Sequence, residues 1–260
     1  MVRTLVTIAG HDPSGGAGAV MDTAVFRGLG FHGAAVLTAV TAQGPSGVRG
    51  LVALEPDFLW AQYRALVRDV RPVGIKVGMA ATGANAAVIG RILGRHEGIP
   101  RVIDPVLRSS SGAALLEPAA ISGLLDAVRG RASVLTPNLA EAGRLAGMKV
   151  DSLETMAEAA RRLFDRTEVP CLVTGGHLRP EAVSLLFDGR RTRLFAKKKI
   201  RKDVHGTGCF FSAALLAFLA QGRSLPRACA LATDLTAAAI RAAVGTGRGR
   251  AVIPGFRRPG

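Results

Sequence analysis

The chain has 260 residues, 48% of them hydrophobic, and a formal net charge of +15. That length and apolar content suit one large core and exclude a disordered segment or a disulfide-stapled miniature, because the three cysteines, Cys171, Cys209 and Cys229, have neither paired spacing nor a histidine cluster beside them. The positive charge is mostly arginine scattered through every segment, which argues against nucleic acid as a partner. The start of the chain runs straight into a strand with no long apolar stretch, so no membrane is expected and a reducing cytoplasm is the expected location.

Taken in chain order, Val2–Ala9 is a β-branched apolar run ending at Gly10, which reads as a buried strand. A glycine-rich loop follows it, and Ala17–Leu29 has helical length and spacing. The pattern then repeats: strand Ala34–Val40, helix Asp57–Val70, strand Gly74–Val77, helix Asn85–His96, strand Arg101–Ile103, helix Pro118–Val128, strand Ser133–Leu135 and helix Leu139–Ala146. Asp151–Arg166 is a further helix, with Asp151 and Ser152 available as caps. Strands Val169–Val173, Ala182–Phe187 and Arg191–Phe195 come next, the last two joined by the turn pair Asp188-Gly189. Helices Gly208–Gln221 and Leu225–Ala243 close the chain. Such alternation predicts a mainly parallel sheet covered by helices on both faces, in one domain over residues 1–260. Ligands of open sheets of this kind bind beyond the carboxyl ends of the strands.

The most informative segment is Asp203-Val204-His205-Gly206-Thr207-Gly208-Cys209, followed by the apolar helix. Its glycines let the backbone come close to a ligand, and the opening of a helix presents unpaired N–H groups and a positive dipole end to anionic oxygens. In that field a thiol at Cys209 is expected to ionise more readily than usual, which would make it a base beside a phosphate cradle. A glycine turn before a helix is also a common tight loop, and a cysteine there is also a common core residue. The basic run Lys197-Lys198-Lys199 with Arg201 and Lys202 lies just upstream; it suits a polyphosphate, or equally a lysine-protected sheet edge.

Seven stretches in one order span nearly the whole chain: Ile8 to Gly18, Thr38 to Gln43, Lys76-Val77-Gly78-Met79, Asp104-Pro105-Val106, Leu135 to Ala142, Gly175-Gly176-His177 and His205 to Cys209. This series resembles the ribokinase-like superfamily and, within it, the hydroxymethylpyrimidine/phosphomethylpyrimidine kinases of thiamine biosynthesis. The resemblance implies an α/β protein with a three-layer α/β/α ribokinase-like fold, a homodimer, and ATP with Mg²⁺ as donor. It also implies two reactions, on 4-amino-5-hydroxymethyl-2-methylpyrimidine and then on its monophosphate. Cys209 matches the position of a catalytic base, and Gly206, Thr207 and Gly208 match an anion hole. Asn138 and Glu141 match a metal-associated pair near the ATP phosphates, with Asp104 a further carboxylate near Mg²⁺. As ordinary helix chemistry, Asn138 and Glu141 read instead as a cap and a first-turn acid.

On the substrate side the resemblance assigns Gln43 to the aminopyrimidine edge, Asp22 to a carboxylate near the substrate, and Gly10, Ala17, Val40, Met79 and Val106 to the wall around the ring. Three positions depart from the family pattern. Gly44 stands where asparagine is usual, which would widen the ring pocket, and Ser110 and Thr174 stand where lysines are usual. Thr174 falls at the nucleotide site, so Lys76, Arg108 or the Lys197–Lys202 cluster is expected to supply the missing charge. His11, His177 and His205 receive no catalytic role. Two other readings remain open: a kinase for pyridoxal or another heteroaromatic alcohol, and a pyrimidine-binding regulatory protein without activity.

Overall fold

In the computed structural model, residues 2–109, 112–176 and 181–254 are described. The elements in chain order are β1 (Thr4–His11), α1 (Gly18–Gly28), β2 (His32–Gly44), β3 (Gly47–Ala53), α2 (Pro56–Asp69), β4 (Pro72–Val77), α3 (Gly83–Leu93), β5 (Arg101–Ile103), α4 (Ala120–Val128), β6 (Val134–Leu135), α5 (Leu139–Ala146), α6 (Leu153–Thr167), β7 (Cys171–Gly175), β8 (Glu181–Phe187), β9 (Thr192–Lys198), α7 (Thr207–Ala220) and α8 (Leu225–Ala242).

The strands form one nine-stranded sheet in the order β3-β2-β1-β4-β5-β6-β7-β8-β9. From β2 across to β7 all neighbours are parallel, and antiparallel pairings add β3 at one edge and β8 with β9 at the other. Side chains alternate across a strand, so each central strand feeds two cores. Val6, Ile8, Ile75, Val77, Ile103 and Leu135 pack with α2 to α6, while Leu5, Val102, Val134 and Leu172 pack with α1, α7 and α8. Three layers follow directly from that alternation.

The helix α7 shows why the second core is stable. Ten of its fourteen residues are buried, because α1 and α8 flank it and the sheet lies beneath. Each of Phe210, Leu215 and Leu216 contributes on the order of 1.5–3 kcal/mol by leaving water. No helix among the described residues is long and apolar enough to cross a membrane.

Several expectations change in detail. Strand β2 runs on to Gly44 and turns into β3, a strand that Gly47 and Gly50 disguise in the sequence and that pairs with it residue by residue. The cap of α6 is Ser152, in a reciprocal box with Thr155, while Asp151 pairs with Lys149 instead. Strand β9 extends to Lys198 and so carries the start of the basic run into the sheet.

Candidate active site

The chain order runs from β1 outward to β2 and then back to β4 on the other side of β1, so a crevice opens at the carboxyl ends of β1, β4 and β5. A cavity of about 710 Å³ occupies it. Gly10, Ala17, Gln43, Met79 and Val106 line one part, Gly206 to Cys209 another, and Asn138, Glu141 and Thr174 a third. Segments far apart in sequence thus face one space.

One end of the cavity is built by two interlocked loops. Gly206, the N-cap of α7, has φ +77°, and a Cβ there would sit 1.7 Å from the carbonyl oxygen of Gly16 in the β1–α1 loop. Only glycine lets these two backbones meet, and their closeness points the first N–H groups of α7 into the cavity. Helix α7 begins at Thr207, one residue earlier than its apolar pattern suggests.

Beneath that cradle lies a charged floor. Ile75 and Val77 face the first core, so the intervening Lys76 points the other way, toward α1. There its Nζ lies 2.8 Å from Asp22 Oδ2 and 3.9 Å from Asp104 Oδ2, all fully or nearly buried. Thr7 donates a 2.6 Å hydrogen bond to Asp22, and Ser212 of α7 a 2.9 Å bond to Asp104. Burial alone would depress the Lys76 ammonium, but Asp22, Cys209 and Asp104 more than offset it and hold the group charged above its ordinary range.

The same floor corrects three expectations. Asp22 is neither a substrate contact nor an exposed helix acid: it is completely buried and neutralises Lys76 from below. Lys76 is therefore already engaged and is not a spare cation for phosphates. Cys209 does line the cavity, yet burial pushes its thiol up to about 12; Lys76 pulls it down, and Asp104 and Asp22 push it up again. The dipole-driven ionisation expected from sequence loses to desolvation and two nearby carboxylates.

Two further placements differ. Val40 is 43% exposed, outside the cavity and opposite Val52 of β3, because alternation along β2 buries Ala39 and turns Val40 to the outer face. Gly44 borders a neighbouring hollow lined also by Pro45, Ser46 and Val48, so its missing side chain does not enlarge the ring pocket. His177 and Ser110 lie outside the described residues.

Asn138 and Glu141 form a full capping box on α5: the Asn138 side chain accepts from Glu141 N at 3.0 Å, and Glu141 Oε2 accepts from Asn138 N at 2.9 Å. They also face the cavity, so capping and ligand contact are compatible. Burial, and then the charge of Asp104, raise the Glu141 carboxyl to about 8 against hydrogen bonds from Asn138 and Leu107. Two mutually repelling carboxylates beside a cavity fit a hard divalent cation that retains most of its waters. Among the described residues no group of three or more His, Cys, Asp or Glu makes a closed metal cage.

Around the mouth the charge is positive. Arg108, Lys197, Lys198, Lys202 and Arg250 all border the cavity. Lys197 and Thr174 project from the same face of the β7-β8-β9 edge, since Thr174 pairs with Ser184 and Lys197 with Ala182. Lys197 is held by Asp234 of α8 at 2.5 Å. Thr174 itself only ties the edge to the loop before α5, through Pro137.

Sequence reasoning missed Asp12 and set His205 aside. Both are buried and both line the cavity: His205 Nε2 lies 2.8 Å from Asp12 Oδ2, and Gln43 Nε2 lies 3.2 Å from the same oxygen. The sequence signal was the Asp-x-Ser turn inside the glycine-rich loop together with a histidine directly before the second glycine turn.

Known proteins resemble this chain over nearly its whole length. Residues 12–253 match the family described as phosphomethylpyrimidine kinase. The chain is 38% identical over 263 residues to a hydroxymethylpyrimidine/phosphomethylpyrimidine kinase of Rhizobium meliloti, covering 99% of this chain and 98% of that one. It is also 38% identical over 252 residues to a thiamine biosynthesis bifunctional protein of Geobacter sulfurreducens; that match takes in 96% of this chain but only 51% of the longer relative. Among solved structures, pyridoxal kinase from Staphylococcus aureus in complex with ADP superimposes with a TM-score of 0.89 at 29% identity, covering 98% of this chain and 94% of that one.

Proposed function

Because this chain belongs to the phosphomethylpyrimidine kinase family, we propose that it transfers the γ-phosphoryl group of ATP to 4-amino-5-hydroxymethyl-2-methylpyrimidine and then to the resulting monophosphate. One observation carries the reading: the ring wall of Gly10, Ala17, Gln43, Met79 and Val106 and the N–H cradle of Gly206 to Cys209 border a single cavity beside Cys209. A ring seated on that wall would direct its CH₂OH group at a phosphoryl group in the cradle.

In the first reaction the hydroxymethyl oxygen attacks the γ-phosphorus, the bond to the bridging oxygen breaks, and ADP leaves. The α7 N–H groups meet the charge on the transferring phosphoryl oxygens, and Lys76 beneath them adds a fixed positive field. Cys209 takes the proton of the alcohol. A base whose conjugate acid ionises near 12 is strong but scarcely populated at neutral pH, so it assists more as pH rises. In the second reaction the acceptor is already an anion and needs no base. Mg²⁺ would be held by Glu141 and Asp104 through water and would neutralise phosphate charge when bound. Glu141 must shed its proton to serve it.

The test compares wild type with Cys209→Ala in the two half-reactions separately. The first phosphorylation should fall by about 10²-fold or more and the second by less than about threefold; equal loss in both, or loss in neither, removes the base assignment. A pyridoxal kinase is the second reading, favoured by the structural likeness to the S. aureus enzyme. Turnover of pyridoxal without turnover of the aminopyrimidine would decide for it. Binding of the ring with no nucleotide turnover would decide for a regulatory protein. A homodimer is part of the proposal, supported by the outward-facing Val40 and Val52 pair on the sheet edge, and sedimentation would read it directly.

A further inference from the structure

Asp12 sits where three segments meet: the β1–α1 loop, the end of β2 and the turn into α7. Its Oδ1 accepts from Ser14 N at 2.9 Å and from Ser14 Oγ at 2.8 Å. Its Oδ2 accepts from His205 Nε2 at 2.8 Å and from Gln43 Nε2 at 3.2 Å. Four donors thus fill the four lone-pair directions of one carboxylate that is only 3% exposed. Burial would favour the neutral acid, but the hydrogen bonds from His205 and Ser14 outweigh it and keep Asp12 ionised.

An ionised carboxylate only accepts, so it dictates which end of a neighbouring amide turns toward it. Gln43 must offer Asp12 its NH₂. The 3.1 Å approach of Gln43 Nε2 to His205 Nε2 then brings together two donors that share one acceptor. The amide keeps its second N–H and its carbonyl oxygen, and the neighbour of that oxygen is the Thr41 hydroxyl at a long 3.4 Å, on a residue that borders the cavity. That oxygen keeps acceptor capacity for a ligand.

We propose that Asp12 is a positioning residue for ring choice: by fixing the Gln43 amide with its oxygen toward the ligand, it makes the pocket select rings that carry an exocyclic amine over rings that carry an oxo group at the same place. The proposal rests on the ring-kinase reading above and deepens it by naming the group that sets the selection. The amine donates to Gln43 Oε1, whereas an oxo group would confront it with a second acceptor and leave both unpaired. Because Asp12 also holds His205, the residue before Gly206, the ring reader and the phosphoryl cradle share one anchor.

The test is calorimetric binding, without nucleotide, of the 4-amino-5-hydroxymethyl pyrimidine and of its 4-oxo counterpart. Wild type should prefer the amine by about 100-fold or more, and Asp12→Asn, whose amide can present either group to Gln43, should lower that ratio at least about tenfold. His205→Gln, which keeps a donor near Asp12 Oδ2, should retain the wild-type ratio although it loses affinity for both rings. An unchanged ratio in Asp12→Asn overturns the proposal. Should Asp12→Asn not fold, wild type answers the same question: with ¹⁵N at the exocyclic amine of the bound ring and ¹³C at the Gln43 side-chain carbonyl, a coupling through the hydrogen bond between the two should appear, and its absence overturns the proposal. Wild type that binds the amine selectively yet never phosphorylates it would sink the kinase reading and leave this inference standing.

Discussion

The floor of the cavity and its mouth use the same residue types in opposite ways. On the floor, Lys76, Asp22 and Asp104 are buried, and every charge has an opposite charge or a hydroxyl within reach. At the mouth, Lys197, Lys198 and Arg108 are exposed, and partners such as Asp234 are exposed as well. Taking charges out of water costs several kcal/mol per ion unless partners are fixed in place, whereas a wet ion pair contributes about 1 kcal/mol or less. The floor is therefore part of the fold, and the mouth is free to meet an anionic ligand and release it.

The hardest blow to this contrast falls where floor and cradle join. Gly206→Ala forces a side chain into the Gly16 carbonyl at a left-handed φ, so kcat should drop by about 10²-fold or more, with a measurable fall in Tm. Retained activity would mean that the two loops separate freely. Next comes Lys76→Met, which leaves Asp22 and Asp104 buried without their cation; urea unfolding should show about 3–5 kcal/mol lost, and Asp22→Asn should cost less. A loss in Lys76→Met no larger than that of an exposed lysine would contradict a dry floor.

A smaller effect separates thiol from thiolate. With the Cys209 thiol raised to about 12, the thiolate fraction is minute at pH 7 and grows with pH, so kcat of the first phosphorylation should climb more steeply between pH 7 and 9 than that of the second, in which only the Glu141 carboxyl, raised to about 8, titrates. The raised value also means that the folded state holds this proton more tightly than the unfolded one, so stability declines once pH passes the ordinary thiol range. A first-step profile no steeper than that of the second would remove the thiolate from the reaction. Last, Val40→Thr should change the KM for the ring less than about twofold, since Val40 faces outward; a larger rise would return it to the pocket wall.

Much of the architecture was legible because alternating short apolar runs and amphipathic segments have few ways to pack. Strand β3 was not: Gly47, Arg49 and Gly50 break its run of Val48, Leu51 and Val52, and only pairing with β2 makes it a strand. In the site, Cys209, Gly206 and Met79 could be read from motifs, because backbone freedom and residue type travel with the sequence. Asp22 could not. Its spacing places it on a helix, but whether it meets solvent, substrate or Lys76 depends on α1 lying over β1 and β4. His205 was set aside for the same reason, since a lone histidine acquires meaning only when a carboxylate 193 residues away comes within 2.8 Å.

By itself the sequence determined the order of the strands and helices other than β3, the glycine turns and the family, since each depends on periodicity or on residues close together in the chain. Tertiary structure alone decided the charge states and the polar partners: which lysine is consumed by the floor, why the thiol resists ionisation, and which end of Gln43 meets Asp12. Those outcomes depend on desolvation and on charges a few ångströms apart, and such distances arise only when remote strands close on one crevice.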